Sequence, residues 1–173
     1  MNWQKLPLIV AIFLAGCATP LESVYIPAYS SGLKLGFSRD SRGQTIAEYV
    51  PANETINNWN MLLTIQFLEG ESRTPLSVME ELRAKMQARC PGSFWNVIRQ
   101  EANSVLYEWK ITNCGTYPNQ HEIARTLRGN DGVHRIAYAE KTDALSTTNR
   151  DKWIRALSDA YVIKDGKQVV LTP

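Results

Sequence analysis

Cys90 with Cys114, Trp95 with Trp109, and Val97 with Tyr107 stand at equal distances from one midpoint, and that spacing leaves few ways to fold the segment. If Glu101-Ala102-Asn103 is a turn, Trp95 lies across from Trp109, Val97 from Tyr107 and Arg99 from Val105. All of them then share one face of a hairpin over 94–111, because side chains on paired strands alternate in and out together. The same register sets Cys90 opposite Cys114, so the hairpin that aligns the aromatics also brings two thiols together. A disulfide between Cys90 and Cys114 is the expectation. Closing a loop of about 25 residues would contribute about 3.5 kcal/mol by chain-entropy reasoning, less any strain. The competing outcome is two free thiols, one buried as a small hydrophobe beyond Met86.

The flanking sequence continues in strands. Leu33, Leu35 and Phe37 alternate with Lys34, Gly36 and Ser38 before the turn-rich Arg39-Asp40-Ser41-Arg42-Gly43, and 44–50 is the return strand, closed by Pro51. Trp59, Met61, Leu63, Ile65 and Phe67 alternate with residues apolar enough to predict a central strand that ends at Gly70. Ser77-Val78-Met79-Glu80 reads as a capping box just after Pro75, with Met79, Leu82 and Met86 at helical spacing behind it. Strands over 122–128 and 133–140 flank Gly129-Asn130-Asp131-Gly132, a turn expected to use positive φ. Thr148-Asn149-Arg150-Asp151 caps a last helix with Trp153, Ile154, Leu157 and Tyr161 inward, and Asp165-Gly166 turns a short terminal hairpin. The fold class is therefore α+β, an antiparallel sheet built of hairpins with two covering helices.

The N-terminus fixes the expected address. Lys5 and the α-amine precede a compact apolar run, Leu6–Phe13, which is far shorter than the ~20 residues needed to span a bilayer. It ends in Leu14-Ala15-Gly16-Cys17, which resembles the lipobox of bacterial lipoproteins. The resemblance implies lipidation of Cys17, cleavage before it and a signal peptide over 1–16; the alternative is a plain signal peptide that happens to carry a cysteine. Ala18, where an aspartate would favour retention at the inner membrane, implies the outer membrane facing the periplasm. Residues 17–32 then form the lipidated cysteine and a tether holding two prolines, with a single domain over 33–173. Fully extended, that tether would reach ~50 Å. Whether Val24, Tyr25, Ile26 and Tyr29 lie on the domain is left open by the sequence.

Of the three cysteines, Cys17 would be consumed by lipid, leaving Cys90 and Cys114 as an even pair in an exported, oxidising setting. Without residues 1–16, the 173-residue chain becomes 157 residues with 18 basic side chains (19 less Lys5) against 17 acidic ones. That balance, with no basic stripe, argues against nucleic acid as a partner.

Glu48-Tyr49-Val50-Pro51, Glu54-Thr55, Asn58-Trp59, Met61-Leu62 and Thr64-Ile65-Gln66 together resemble a segment found in a group of small exported bacterial proteins of unknown function. The resemblance spans 48–66 and implies kinship in fold and compartment without implying an activity. The order hairpin, strand, helix, hairpin, hairpin, helix is also similar to that of PsbP-like α+β domains, and fold alone does not carry function.

Residues capable of chemistry are few. His121 and His134 stand outside any metal-ligand spacing, so no metal is expected, and both are read as surface imidazoles. No glycine-rich phosphate loop and no G-x-S-x-G is present, so no cofactor is expected either. Asp131 with Glu140, or Glu48 with Glu54, read as solvated strand ends rather than acid/base pairs. The expected role is a membrane-anchored envelope lipoprotein that binds or supports assembly with an envelope protein partner, not an enzyme. Two alternatives stay open: a periplasmic hydrolase using His121 or His134, and a small-ligand module using the Trp95, Tyr107 and Trp109 face.

Overall fold

A computed structural model describes residues 22–27 and 32–171. The signal segment 1–16, Cys17 and the tether residues 18–21 and 28–31 lie outside the described residues. Seven antiparallel strands form the main sheet in the order β2-β3-β4-β8-β7-β6-β5. These are β2 (Leu33–Ser41), β3 (Gln44–Pro51), β4 (Met61–Glu69), β5 (Phe94–Glu101), β6 (Ser104–Ile111), β7 (Gln120–Arg128) and β8 (Gly132–Glu140). A small second sheet joins β1 (Ser23–Tyr25), β9 (Tyr161–Lys164) and β10 (Lys167–Gln168). The helices are α1 (Pro75–Arg89) and α2 (Thr147–Ser158). The architecture is α+β, as the sequence predicts, and β4 lies inside the sheet beside β8, where its two-sided apolar character belongs.

The alternation within each strand sends one set of side chains to each helix. Leu63, Leu106, Ile123 and Ile136 meet Trp153 and Leu157 of α2 together with Val162 of β9. Val105, Tyr107, Trp109 and Ala124 meet Met79 on the other face, where α1 packs with Leu76 and Met86. Both helices begin a few residues before their expected starts. Thr74, not Ser77, caps α1: its side chain accepts from the Ser77 backbone N–H, and Pro75 takes the first turn, where its missing N–H costs nothing. Ser146 caps α2 by accepting from the Asn149 N–H at 3.2 Å, and Tyr161 belongs to β9 rather than to the helix.

The β5–β6 hairpin follows the expected register where the aromatics lie, with Trp95 opposite Trp109 and Val97 opposite Tyr107. Toward the turn it departs from it. A bulge at Ile98 shifts Arg99 from Val105 to Leu106, so only Ala102 and Asn103 separate the strands, and Ile98 packs on the α2 side. Beyond the open ends of the strands, Cys90 and Cys114 are joined in a disulfide with 5.7 Å between Cα atoms.

Two further expectations are revised. The folded unit starts before Leu33, because β1 pairs with β9 and Ile26 is buried in the α2-side core. Gly129 and Gly132 do not adopt positive φ; they are glycines because a Cβ on Gly129 would collide with the Glu22 carboxylate and one on Gly132 with the Leu68 carbonyl.

Candidate functional site

Both histidines are buried, contrary to the surface positions expected of them. His121 opens β7 on the α2 side of the sheet. Its Nδ1 accepts the Leu145 backbone N–H at 3.0 Å, so in the neutral ring Nε2 carries the proton and faces Glu108 Oε2 at 3.3 Å. Glu108 in turn accepts Arg150 Nε at 2.7 Å and Nη2 at 2.8 Å, a two-pronged contact, and Asn96 Nδ2 at 2.9 Å. Burial opposes the charge on Glu108, yet the donors and charge of Arg150 and Asn96 outweigh it and hold the carboxyl at about 2. Burial also dominates at His121, lowering its pKa against the pull of Glu108.

His134 lies on the same side of β8, its ring stacked on Phe67 at 4.4 Å and its Nε2 3.3 Å from Glu22 Oε2. The Glu22 carboxylate also accepts the backbone N–H groups of Asn130 at 2.7 Å and Asp131 at 3.1 Å. Here too burial lowers the imidazole pKa, with Glu22 acting in the opposite sense. Each imidazole thus joins a distant segment to the sheet, and neither has a serine or cysteine beside it among its hydrogen-bond partners.

The aromatic residues are brought together as the register requires. Trp95 stacks on Trp109 at 5.3 Å and on Tyr107 at 6.0 Å. Tyr107 and Trp109 are buried beneath α1, so these rings serve the core rather than an open ligand face. Their polar atoms feed a network that sequence reasoning missed. Trp109 Nε1 donates to Glu122 at 2.5 Å, Arg135 Nη2 pairs with the same oxygen, and Arg135 Nε donates to the Tyr107 hydroxyl at 3.0 Å. Burial works against the charge on Arg135, but Glu122 and Tyr107 hold its pKa above the ordinary value. Glu122 and Arg135 share strand parity with Ala124 and Ala137, and that inward parity was the signal available to find them.

Beside this network lies a cleft of about 350 Å³ between α1 and the bare part of the sheet. Its floor holds Gln44, Gln66, Tyr107 and Arg135, and its helical wall Met79, Leu82 and Lys85. α1 packs on β6 and β7, leaving the amide-bearing strands β3 and β4 beside it open on that face. The arrangement offers hydrogen-bond donors and acceptors over a broad surface.

The acidic pairs considered from sequence are not assembled. Asp131 binds Lys164 Nζ through both oxygens at 2.7 Å, Glu140 accepts from Asn149 at 2.9 Å, and Glu54 accepts the Asn60 N–H at 2.7 Å. Burial raises the pKa of Glu48. Among the described residues no group of three or more His, Cys, Asp or Glu side chains could hold a metal ion, and no helix is long and apolar enough to cross a membrane. No curated protein and no solved structure matches the chain. The model of an uncharacterised family matches residues 31–169, and the chain belongs to that family.

Proposed function

We propose that this chain is a lipid-anchored component of the bacterial envelope, attached through Cys17 at the outer membrane and facing the periplasm, whose domain binds an envelope protein rather than catalysing a reaction. The observation that carries the binding half of this reading is the commitment of both imidazoles. His121 is held between the Leu145 N–H and Glu108, and His134 between Phe67 and Glu22. A general base must reach its substrate's proton, and these rings are walled in by the segments they fasten. The cleft beside α1, floored by Gln44, Gln66 and Arg135, is the surface offered for a partner, because its polar groups can pair with an extended polypeptide.

The anchoring half is supported by Leu14-Ala15-Gly16-Cys17 and by the pairing of Cys90 with Cys114, which leaves Cys17 as the one cysteine outside the bridge. Intact-mass spectrometry of protein extracted from membranes tests it: the expected mass lacks residues 1–16 and carries acyl chains. Cys17→Ser should release the protein from the membrane, since stable attachment depends on those chains. Unacylated wild-type protein in the soluble periplasm would overturn the reading. For the binding half, a photo-crosslinking residue at Gln66 is expected to capture an envelope protein, and adducts equally frequent on the opposite face of the sheet would reject the cleft.

A further inference from the structure

The N-terminal segment is fastened much closer to Cys17 than a 15-residue tether would allow. Glu22 is buried, its carboxylate filling the β7–β8 turn and accepting from Asn130 and Asp131, with His134 alongside. Directly after it, Ser23–Tyr25 of β1 pairs with β9, and Ile26 enters the core. Only residues 18–21 therefore separate Cys17 from a fixed point on the fold. Whatever their conformation, five Cα steps reach no further than ~17–19 Å.

That fixed point lies at one end of the sheet. The Gly70 N–H donates to the Asp131 carbonyl, the Arg128 N–H to that of Asn103 and the Glu69 N–H to that of Gly43, so the β2–β3, β5–β6 and β7–β8 turns and the end of β4 gather around it. The disulfide and the exposed Tyr117 are at the other end of strands nine residues long, ~30 Å away. A reach of under 20 Å from Glu22 brings the turn end to the bilayer and leaves the disulfide end out of range of it when the strands stand upright. Lys164 and Arg73 at this end are paired with Asp131 and Glu71, so the length of the tether rather than these two cations carries the assignment.

We infer that the turn end of the sheet is the surface that rests against the lipid headgroups, and that the seating of Glu22 in the β7–β8 turn sets this orientation. The inference rests on acylation of Cys17. It gives the cleft a direction as well, since the cleft is lined by Glu71 and Arg73 from the β4–α1 connection and so opens near the bilayer.

The test uses the full chain in its native membrane, with a photo-crosslinking residue at Ala102 in the β5–β6 turn or at Tyr117 beyond the disulfide. Lipid adducts are expected at 102 and not at 117. A flexible Gly/Ser insertion of about 15 residues between positions 20 and 21, with an added r.m.s. reach of ~20 Å, should remove the adduct at 102 without touching the fold. Equal labelling at the two positions, or labelling at 102 that survives the insertion, would overturn the orientation. Intact mass on the same samples separates the two readings: acylated protein without the asymmetry defeats the orientation alone, whereas unacylated protein defeats the anchor.

Discussion

The two histidine clamps fasten the same face of the sheet at opposite ends, and they differ in what neutralises the buried carboxylate. At the disulfide end, Glu108 has a full counter-ion, since Arg150 grips both of its oxygens while His121 and Asn96 fill the remaining positions. At the turn end, Glu22 accepts two backbone amides and faces His134, with Lys164 engaged one step away on Asp131. The first clamp joins the start of α2 to β6 and β7 at the disulfide end, where loosening it would expose the Trp153 core. The second joins a short N-terminal segment, with its three-residue strand β1, to a turn. Similar chemistry therefore serves the stability of the whole domain in one place and the attachment of a single segment in the other.

The sharpest way to break this comparison is to remove the counter-ion. Arg150→Met keeps the side-chain stem but leaves Glu108 as a buried charge without its partner, which should cost about 3–4 kcal/mol in denaturant unfolding at neutral pH. Glu108→Gln should cost less, because Arg150 is 34% exposed and can turn to water. The reverse order would mean that the cluster is not organised around the carboxylate.

A third fastening is covalent and next in size. Reduction of Cys90–Cys114 frees the end of α1 from the strand end of the second hairpin partner and should cost about 3 kcal/mol while the fold persists. Denatured, unreduced protein should accordingly show no reactive thiol at either position. Two reactive thiols there would refute the bridge and undermine the hairpin register with it.

What could be read from the sequence divides along the same line as the clamps. The aromatic register and the Cys90–Cys114 pairing were legible because both partners lie within one hairpin, where strand periodicity fixes who meets whom. The bulge at Ile98 was not, since it depends on Ile98 gaining a place in the α2-side core. Pro75 stood in the sequence as a helix-start signal, yet the capping-box pattern two residues later outweighed it. The clamps were hidden for a different reason. His134 and Glu22 are 112 positions apart, and no local pattern announces that an acidic residue in a proline-bearing tether will enter a turn. A partial signal did exist: His121, Arg125 and Glu108 sit at inward parity beside Ile123, Leu127 and Leu106, and a charge at such a position demands a partner.

Smaller effects are expected at the second clamp. Glu22→Ala leaves the Asn130 and Asp131 amides without their acceptor, at a cost of about 1–2 kcal/mol. Because β1 touches the rest of the fold chiefly through β9, the response should be local opening. Hydrogen exchange at residues 23–26 should accelerate far more than at the β7–β8 core, whereas Arg150→Met should accelerate exchange throughout the domain. Uniform acceleration in both variants would erase the distinction drawn between the clamps.

The last and smallest effect is a two-stage acid response, and its sign follows from which state binds protons more tightly. Burial sets both imidazoles below the ordinary value of 6.5, so the unfolded chain takes up these protons first. Their contribution is present above about pH 6.5 and is lost as the pH falls below it toward the folded-state values. Glu108 is displaced in the same direction, from the ordinary 4.5 to about 2, so its contribution is complete above 4.5 and disappears between there and about pH 2. Unfolding free energy measured against pH should therefore decline in two steps, the first from the histidines and the second from the carboxylate. Replacing His134 by Gln should shrink only the first step, whereas Arg150→Met should act chiefly on the second, because without its counter-ion Glu108 no longer titrates so low, with a lesser change in the first since Arg150 also helps to hold the His121 pKa down. A single step that both variants alter equally would show that the two clamps are electrically one unit, despite standing at opposite ends of the sheet.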